Sequence, residues 1–367
     1  MKNVYLDQMI LTTCCPTNAG SKMLESYVSL FNATVVEKLT AAGYEIAGKL
    51  PVGEFAIDLV GETCFHGKAD ASPLRDAMGG LSFDVNGAPR RVAAQNDLVF
   101  AKPTYGIVSR FGTIPVACSG ECVGVTAKTV ADCREILSTI VGKDERDGTM
   151  HADDVCQKSV NGCQKSVKRV AVIQMEADDQ VRAHLEAAKT EMAANGIEIC
   201  EIDAGVIGAA YASWNMLMCA ELCNNVSRYD GIKYGYRTKN YKTLDELYTN
   251  SRTEAFGLTL KSAILYGSDV LSTKNYMAKY DKALRVRRVV VEAFADIFAK
   301  VDAVMLPACS KMSYTEGDSP FVENKFTAPA SITGLPAVVI KGVQLMGPAF
   351  SDGTLLDLAR VIAKEGK

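Results

Sequence analysis

Apolar residues are spaced in two ways along the chain, and segments with the spacing typical of helices alternate with segments that have the spacing typical of strands. At residues 32–43, apolar side chains recur on one helical face, Asn32 is a suitable N-cap and Gly43 is a suitable stop. The short apolar segment at residues 44–49 then predicts a strand. The pattern therefore predicts a helix that leads directly into a sheet.

A later stretch predicts a βαβ unit. Residues 167–174 (VKRVAVIQ) and 197–203 (IEICEID) have strand character, and the helix predicted between them ends at Gly196. One face of that helix carries four apolar residues: Val181, Leu185, Ala188 and Met192. Two strands joined through a helix run parallel and are buried. A further helix at residues 279–300 precedes another apolar strand, so the alternation predicts an α/β domain with helices on both faces of the sheet.

Composition narrows the range of functions. The net charge of −3 gives no basic surface, so direct nucleic-acid binding is not expected. The most apolar stretch, residues 206–223, contains Ser213, Asn215 and Glu221 and is predicted to be a buried helix rather than a membrane span. The first residues lack the apolar core of a signal peptide. We therefore expect a cytoplasmic protein without membrane contact.

The twelve cysteines and three histidines raise the question of a metal site. Their spacing does not match that of zinc-binding motifs, and a cytosolic chain is expected to keep its thiols free and mostly buried. We predict neither a metal nor a cofactor, and a metal or redox role for the thiols is the alternative.

Several segments resemble those of the amidase-signature family. They include SKMLESYVSLFNATVVEKLTAAG at residues 21–43, KPTYGIVSRFGTIPVACS at 102–119 and TVADCREILSTIVGKDERD at 129–147. Residues 228–238, 244–272, 326–340 and 342–350 are similar, in particular, to the A subunits of glutamine-dependent tRNA amidotransferases. This resemblance implies a single truncated amidase-signature domain over residues 1–367, with a mixed, twisted β-sheet covered by helices on both faces.

The resemblance also implies a chemistry, which this chain lacks in part. The family cleaves amides with a Ser nucleophile, a second, bridging Ser and a Lys base, carried by GGSIR, GGSSGG and K-D-N segments. Residues 87–94 read GAPRRVAA where the family reads GSIRQPAA. Arg90 then falls on the family's Arg, and Ala88 falls on the nucleophile. An alanine methyl group cannot attack a carbonyl.

The bridging position is altered as well. The resemblance places Gly79 and Gly80 on the GGSS segment, so that Leu81 takes the bridging position and Ser82 follows one place late. The family has a helix in the interval that here separates Leu81 from Ala88. The shortened interval leaves two alternatives, a remaining cavity or a filled core, and closure of the gap by Leu81, Phe83, Val85 and Val92 would favour the filled core.

Two further parts of the family's site carry over with substitutions. Lys2 falls on the catalytic lysine, which makes it a vestigial base, and an ordinary exposed lysine is the alternative. The Arg and the Asp that hold the charged ends of glutamine in the family become Ala263 and Asn324, and the Tyr near them becomes Trp214. Without an arginine there, the bidentate carboxylate contact is lost. Trp214 is then either core or a new pocket wall.

A relocated nucleophile is the rival interpretation. Cys64 has His66 two residues on, and Ser82 lies near the lost serines. The sequence favours a catalytically degenerate protein that binds a small amide ligand or a protein partner of the amidotransferase-subunit type. An active amidase or glutamine amidotransferase with a rearranged nucleophile is the alternative.

Overall fold

The computed structural model describes residues 2–162, 165–203 and 205–365 of the 367-residue chain. The strands of these residues are β1 Asn3–Asp7, β2 Glu45–Leu50, β3 Gly79–Asp84, β4 Val99–Lys102, β5 Cys122–Ala127, β6 Arg169–Ile173, β7 Glu198–Ile202, β8 Ala303–Pro307, β9 Ala337–Ile340 and β10 Val343–Met346. The helices are α1 Thr34–Ala41, α2 Ala88–Gln95, α3 Val130–Ile140, α4 Asp153–Asn161, α5 Asp179–Ala194, α6 Gly205–Val226, α7 Leu244–Ala255, α8 Leu258–Leu271, α9 Lys282–Phe298, α10 Pro320–Thr333 and α11 Asp352–Ala363.

The strands form one mixed sheet in the order β2-β1-β3-β5-β4-β9-β10-β8-β6-β7. Parallel pairs lie at both ends, where β1 runs parallel to β2 and β3, and β6 runs parallel to β7 and β8. The central strands are antiparallel. The predicted mixed sheet is confirmed, and the predicted βαβ unit is β6-α5-β7.

Helices cover both faces of this sheet. In β9, Val338 and Ile340 belong to the main hydrophobic cluster, whereas Val339 belongs to a smaller cluster that includes Ala93 and Ala94 of α2. Because successive strand residues point to opposite faces, the two clusters lie on the two sides of the sheet. Helices α3 and α11 contact the strands within the main cluster.

The long apolar helix is α6. By length and composition Gly205–Val226 could cross a membrane, and half of its most apolar window is buried within the protein. It packs against α8, α9 and α10. Burial among these helices accounts for its apolar composition, as predicted for residues 206–223.

The helix after residue 32 is confirmed, but its predicted N-cap is wrong. Ala33 is the residue that precedes α1, and it makes no side-chain capping bond. The Asn32 amide oxygen instead accepts the Thr13 N–H at 2.9 Å and the Thr12 hydroxyl at 3.1 Å. The Asn32 side chain could cap the helix, but it hydrogen-bonds the neighbouring loop at Thr12 and Thr13 instead.

The eleven cysteines that the structure describes are free, and six of them are buried. Cys163 lies outside the described residues. Burial raises the pKa of Cys133 and Cys219 to about 12, which keeps both thiols protonated at neutral pH. Within the described ranges, no three potential metal ligands come together.

Candidate functional site

A cavity of about 350 Å³ opens where three parallel strands end. Asp7 pairs with Leu50 at the ends of β1 and β2, and Leu6 pairs with Leu81 in β3, so the carboxyl ends of these strands share one edge of the sheet. In open α/β sheets, ligands bind in the crevice outside such ends. The walls of this strand-end cavity include Asp7, Asp58, Leu74, Ser82, Ala88 and Thr126.

Asp7 is held at the end of β1 by backbone donors. One carboxylate oxygen accepts the Met9 N–H at 2.8 Å, and the other accepts the N–H of Phe83 in β3. Burial raises the pKa of Asp7 to about 6, against the lowering effect of these hydrogen bonds and of the Lys49 charge. Both oxygens are therefore occupied, and Asp7 fixes the junction of β1 and β3.

Asp58 is bonded on one side only. Its Oδ2 accepts the N–H and the hydroxyl of Thr63, each at 3.0 Å, whereas its fully buried Oδ1 has no hydrogen-bond partner. Burial raises the pKa of Asp58 to about 7, and the neighbouring Glu62 charge adds to the shift, against the lowering effect of hydrogen bonds from Thr63 and from the Gly61 N–H. Gly53 leaves the space for this carboxyl group, since a Cβ there would fall 1.9 Å from the Asp58 Cγ.

The segment predicted to match the GGSS loop is a strand. Gly79, Gly80, Leu81 and Ser82 lie within β3. A Cβ on Gly79 would approach a backbone oxygen of β5 to 2.5 Å, so this glycine serves close strand packing rather than a phosphate- or oxyanion-binding turn. Leu81 is fully buried in the core. Ser82 is partly exposed to the cavity, and its hydroxyl lies 3.0 Å from that of Thr126.

Ala88 lies on the cavity wall as the first residue of α2. The turn before it requires Gly87, whose φ is +80° and whose Cβ would fall 2.4 Å from the Thr327 side chain. Strand β3 thus passes into α2 through three residues, 85–87. Of the two alternatives for the gap between β3 and α2, the structure shows a cavity, and Phe83 and Val92 lie on its wall.

Arg90 points away from the cavity and is fully buried. Its Nε lies 2.8 Å from the Asp84 carboxylate, and its other nitrogens donate to the Thr327 carbonyl at 2.8 Å, to Gln344 at 2.9 Å and to Ser331 at 2.7 Å. It therefore holds α2 against α10 and β10, and it does not reach the cavity.

Lys2 and Cys64 are not brought to the cavity as a base and a nucleophile. Lys2 lies before β1, half-exposed, with its ammonium 2.5 Å from Glu135 of α3. Cys64 is buried, and burial raises the pKa of its thiol, which is the opposite of activation. The His66 ring is exposed and packs edge-on against Phe65. These contacts place Lys2 on the surface as an ordinary lysine.

The three positions predicted from the glutamine pocket lie together on neighbouring helices. Trp214 (α6), Ala263 (α8) and Asn324 (α10) are all buried. A second cavity of about 330 Å³ is lined by their sequence neighbours Asn215 and Ser262, with Tyr266 and Phe321. The amide groups of Asn215 and Asn324 lie 2.7 Å apart.

Sequence reasoning missed both buried carboxylates of the strand-end cavity, Asp7 and Asp58. Asp7 directly follows the apolar residues of β1, and an acid at the end of a predicted parallel strand was the available signal. Asp58 had no such signal. Its environment arises because a loop brings Gly53 and Thr63 together around it.

The fold and this edge cavity define a class. Residues 67–356 match the family model described as Amidase, which covers more than half of the chain. The chain belongs to the amidase family.

Within that family, it is similar to the A subunits of glutamyl-tRNA(Gln) amidotransferase. It is 32% identical to the Pseudomonas aeruginosa protein, over 98% of this chain and 81% of the relative. It is 33% identical to the Nitrosomonas europaea protein, over 98% of this chain and 81% of that relative. The crystal structure of the corresponding Thermotoga maritima protein superposes with a TM-score of 0.80 at 25% identity, over 99% of this chain and 83% of that one.

Proposed function

We propose that this chain is a catalytically degenerate member of the amidase family that works by binding rather than by cleaving amides. The observation that carries the proposal is the residue at the start of α2, since Ala88 presents a methyl group on the wall of the strand-end cavity. A methyl group has no lone pair with which to attack a carbonyl carbon.

The other groups near Ala88 support the proposal. A serine nucleophile needs a hydrogen-bonded base, and the Ser82 hydroxyl on the same cavity wall is bonded to the Thr126 hydroxyl. An alcohol does not accept a proton at neutral pH. Asp7 is the carboxylate beside Ser82 along the strand ends, and both of its oxygens already accept backbone N–H groups.

The test is ammonia release from glutamine and from simple primary amides by the purified protein. We expect no release above buffer, because removing the nucleophile from a serine hydrolase costs on the order of a millionfold in rate. The same assay with the remaining subunits and tRNA of a related amidotransferase is expected to show no release that depends on this chain. Ala88→Ser is expected to stay inactive, since it restores a hydroxyl without a base.

Two variants decide the alternative of a relocated nucleophile. Activity that is present in the wild-type protein and disappears on Ser82→Ala or Cys64→Ala would overturn the proposal and identify the nucleophile. Ser159→Ala is the control for the serine change, because the Ser159 hydroxyl also bonds a side chain, that of Asp352, but in another part of the fold.

We further propose that the binding role includes a protein partner of the amidotransferase-subunit type. The relatives are named as subunits. Residues 228–272, whose sequence resembles such subunits, carry eight exposed large apolar side chains: Ile232, Tyr234, Tyr241, Leu244, Tyr248, Leu258, Leu265 and Tyr266. Concentrated apolar exposure of this kind is typical of protein interfaces. Leu258 and Leu265 of α8 are the most exposed, at 82% and 72%.

Co-purification tests this surface. The tagged protein is expected to retain the remaining subunits of the Pseudomonas aeruginosa amidotransferase, and the double change Leu258→Glu and Leu265→Glu is expected to abolish that retention. Leu30→Glu is the matched control, since Leu30 is 96% exposed and lies outside the segment. Failure of the wild-type protein to retain any of the subunits, or equal loss with Leu30→Glu, would contradict the proposal.

A further inference from the structure

The strand-end cavity contains an acceptor that the protein itself does not satisfy. Asp58 is fully buried, and its Oδ1 has no hydrogen-bond partner, while Oδ2 holds both donors of Thr63. A buried carboxylate oxygen without a donor is costly, because the desolvated charge is left uncompensated. Asp58 also lines the cavity, so a ligand that enters can supply the missing donor.

No cation of the described protein neutralises this carboxylate. Among the described residues no ion pair reaches Asp58, and the buried guanidinium of Arg91 donates instead to the backbone carbonyls of Asp58 and Leu59, each at 2.9 Å. Lys49 is committed elsewhere, since its ammonium donates to the Asp7 carbonyl at 3.0 Å and to the Ile10 carbonyl. The Asp58 charge is thus available to a cation from outside.

The rest of the cavity wall sets the shape and polarity of the ligand. Apolar side chains form much of the lining, among them Leu50, Val60, Leu74, Val92 and Met312. A volume of about 350 Å³ lies at the lower end of the range for small-molecule sites. The cavity therefore matches a ligand with a compact apolar body and one charged donor.

From this geometry we propose that the strand-end cavity binds a small organic amine, with its ammonium group donating to Asp58 Oδ1 and its apolar body against Leu74 and Val92. The inference rests on the proposed function, because it names the ligand class of that same cavity. It differs in charge from the neutral amide that the family resemblance implies.

The charged groups around the site determine how binding depends on pH. Asp7, Lys68 and Asp70 also line the cavity, and Glu62 acts on Asp58 from the adjoining loop. Because burial raises the pKa of Asp58 to about 7, this carboxyl group loses its proton between pH 6 and pH 8. An alkylammonium ion keeps its proton over that interval, with a pKa of about 10 like that of lysine. Amine affinity is therefore expected to rise with pH across it.

Calorimetric titration with benzylamine and hexylamine, each compared with benzyl alcohol and hexanol, tests the proposal. We expect the amines to bind the wild-type protein about 10- to 100-fold more tightly than the matched alcohols, as for a hydrogen bond to a charged group. Asp58→Asn is expected to remove that difference. Asp154→Asn is the matched control, since the exposed Asp154 carboxylate pairs with Lys158 on α4 and is not part of the cavity wall, and it is expected to keep the difference.

Equal binding of amines and alcohols, or no binding of either at millimolar concentration, would overturn the amine site even if Asp58→Asn fails to fold. The hydrolysis of N-benzylacetamide, measured in the same samples, keeps the two proposals apart. Release of benzylamine would refute the non-catalytic role and leave the amine site standing. No release together with no amine binding would refute the site and leave the non-catalytic role standing.

Discussion

Asp84→Ala is expected to destabilise the protein by about 3–5 kcal/mol, the cost of removing one partner of a buried ion pair. Both side chains of the Asp84–Arg90 pair are fully buried, with Nε 2.8 Å from the carboxylate. The alanine variant leaves the guanidinium buried without its counter-charge. It also removes the acceptor of the Gly87 N–H, at 2.9 Å, just where β3 turns into α2. Urea unfolding at pH 7, followed by circular dichroism, measures the loss.

Asp281→Ala is the control for this prediction. Asp281 immediately precedes α9 and pairs with the exposed Arg285 at 2.8 Å in an i, i+4 arrangement, where such pairs contribute about 0.3–0.5 kcal/mol. A loss below about 1 kcal/mol for Asp84→Ala, or equal losses for both variants, would show that the buried pair does not hold α2 in place.

Trp214→Ala is expected to cost about 3–5 kcal/mol as well, because it empties a large volume in the helical layer. Trp214 is the largest fully buried side chain, and its ring packs against the backbone of Gly120, where a Cβ would fall 2.3 Å away. Thermal and urea unfolding of the variant, again by circular dichroism, test the prediction. Trp214 is the only tryptophan, so its fluorescence reports unfolding only in proteins that retain it.

Trp214→Phe separates volume from hydrogen bonding. The indole Nε1 is buried without a hydrogen-bond partner, so phenylalanine loses part of the ring volume and also removes an unsatisfied donor. We expect this variant to lose less than half as much stability as Trp214→Ala. An equal loss would contradict this prediction, because it would mean that the phenyl ring recovers none of the stability that the indole provides.

The fold was predictable where the spacing of the apolar residues and the residues that end a helix indicated the same element. In α5 the four predicted residues, Val181 to Met192, are the ones that the structure buries, and the side chain of Asp178 caps the helix by accepting the Val181 N–H at 2.7 Å. These signals are local, and no tertiary contact overrides them. At α1 a tertiary contact did override the local signal, because Asn32 bonds Thr12 and Thr13 instead of capping the helix.

The candidate site was less predictable than the fold. The places of its residues depend on how the chain connects across the stretches that the family has and this chain lacks. The alignment with the family is continuous from Lys102 back to Ala88. Before Ala88, it depended on the size of a deletion that the sequence does not give. The two glycines of β3 were therefore assigned to a loop, although the apolar residues Leu81 and Phe83 beside them fit a buried strand. Lys2 was likewise named by counting back from Thr12, across the irregular segment that follows β1, and the structure places its side chain at the surface beside Glu135.

The β9–β10 hairpin has a consequence for synthesis of the chain. Its turn is only Lys341 and Gly342, both with positive φ as a tight two-residue turn requires, and its strands join β4 on one side to β8 on the other. Until residues 337–346 leave the ribosome, the nascent polypeptide holds two separate half-sheets, each with an unpaired edge at β4 or β8. Unpaired edges of this kind invite intermolecular pairing, so the period before the hairpin emerges is when the growing chain most needs a chaperone.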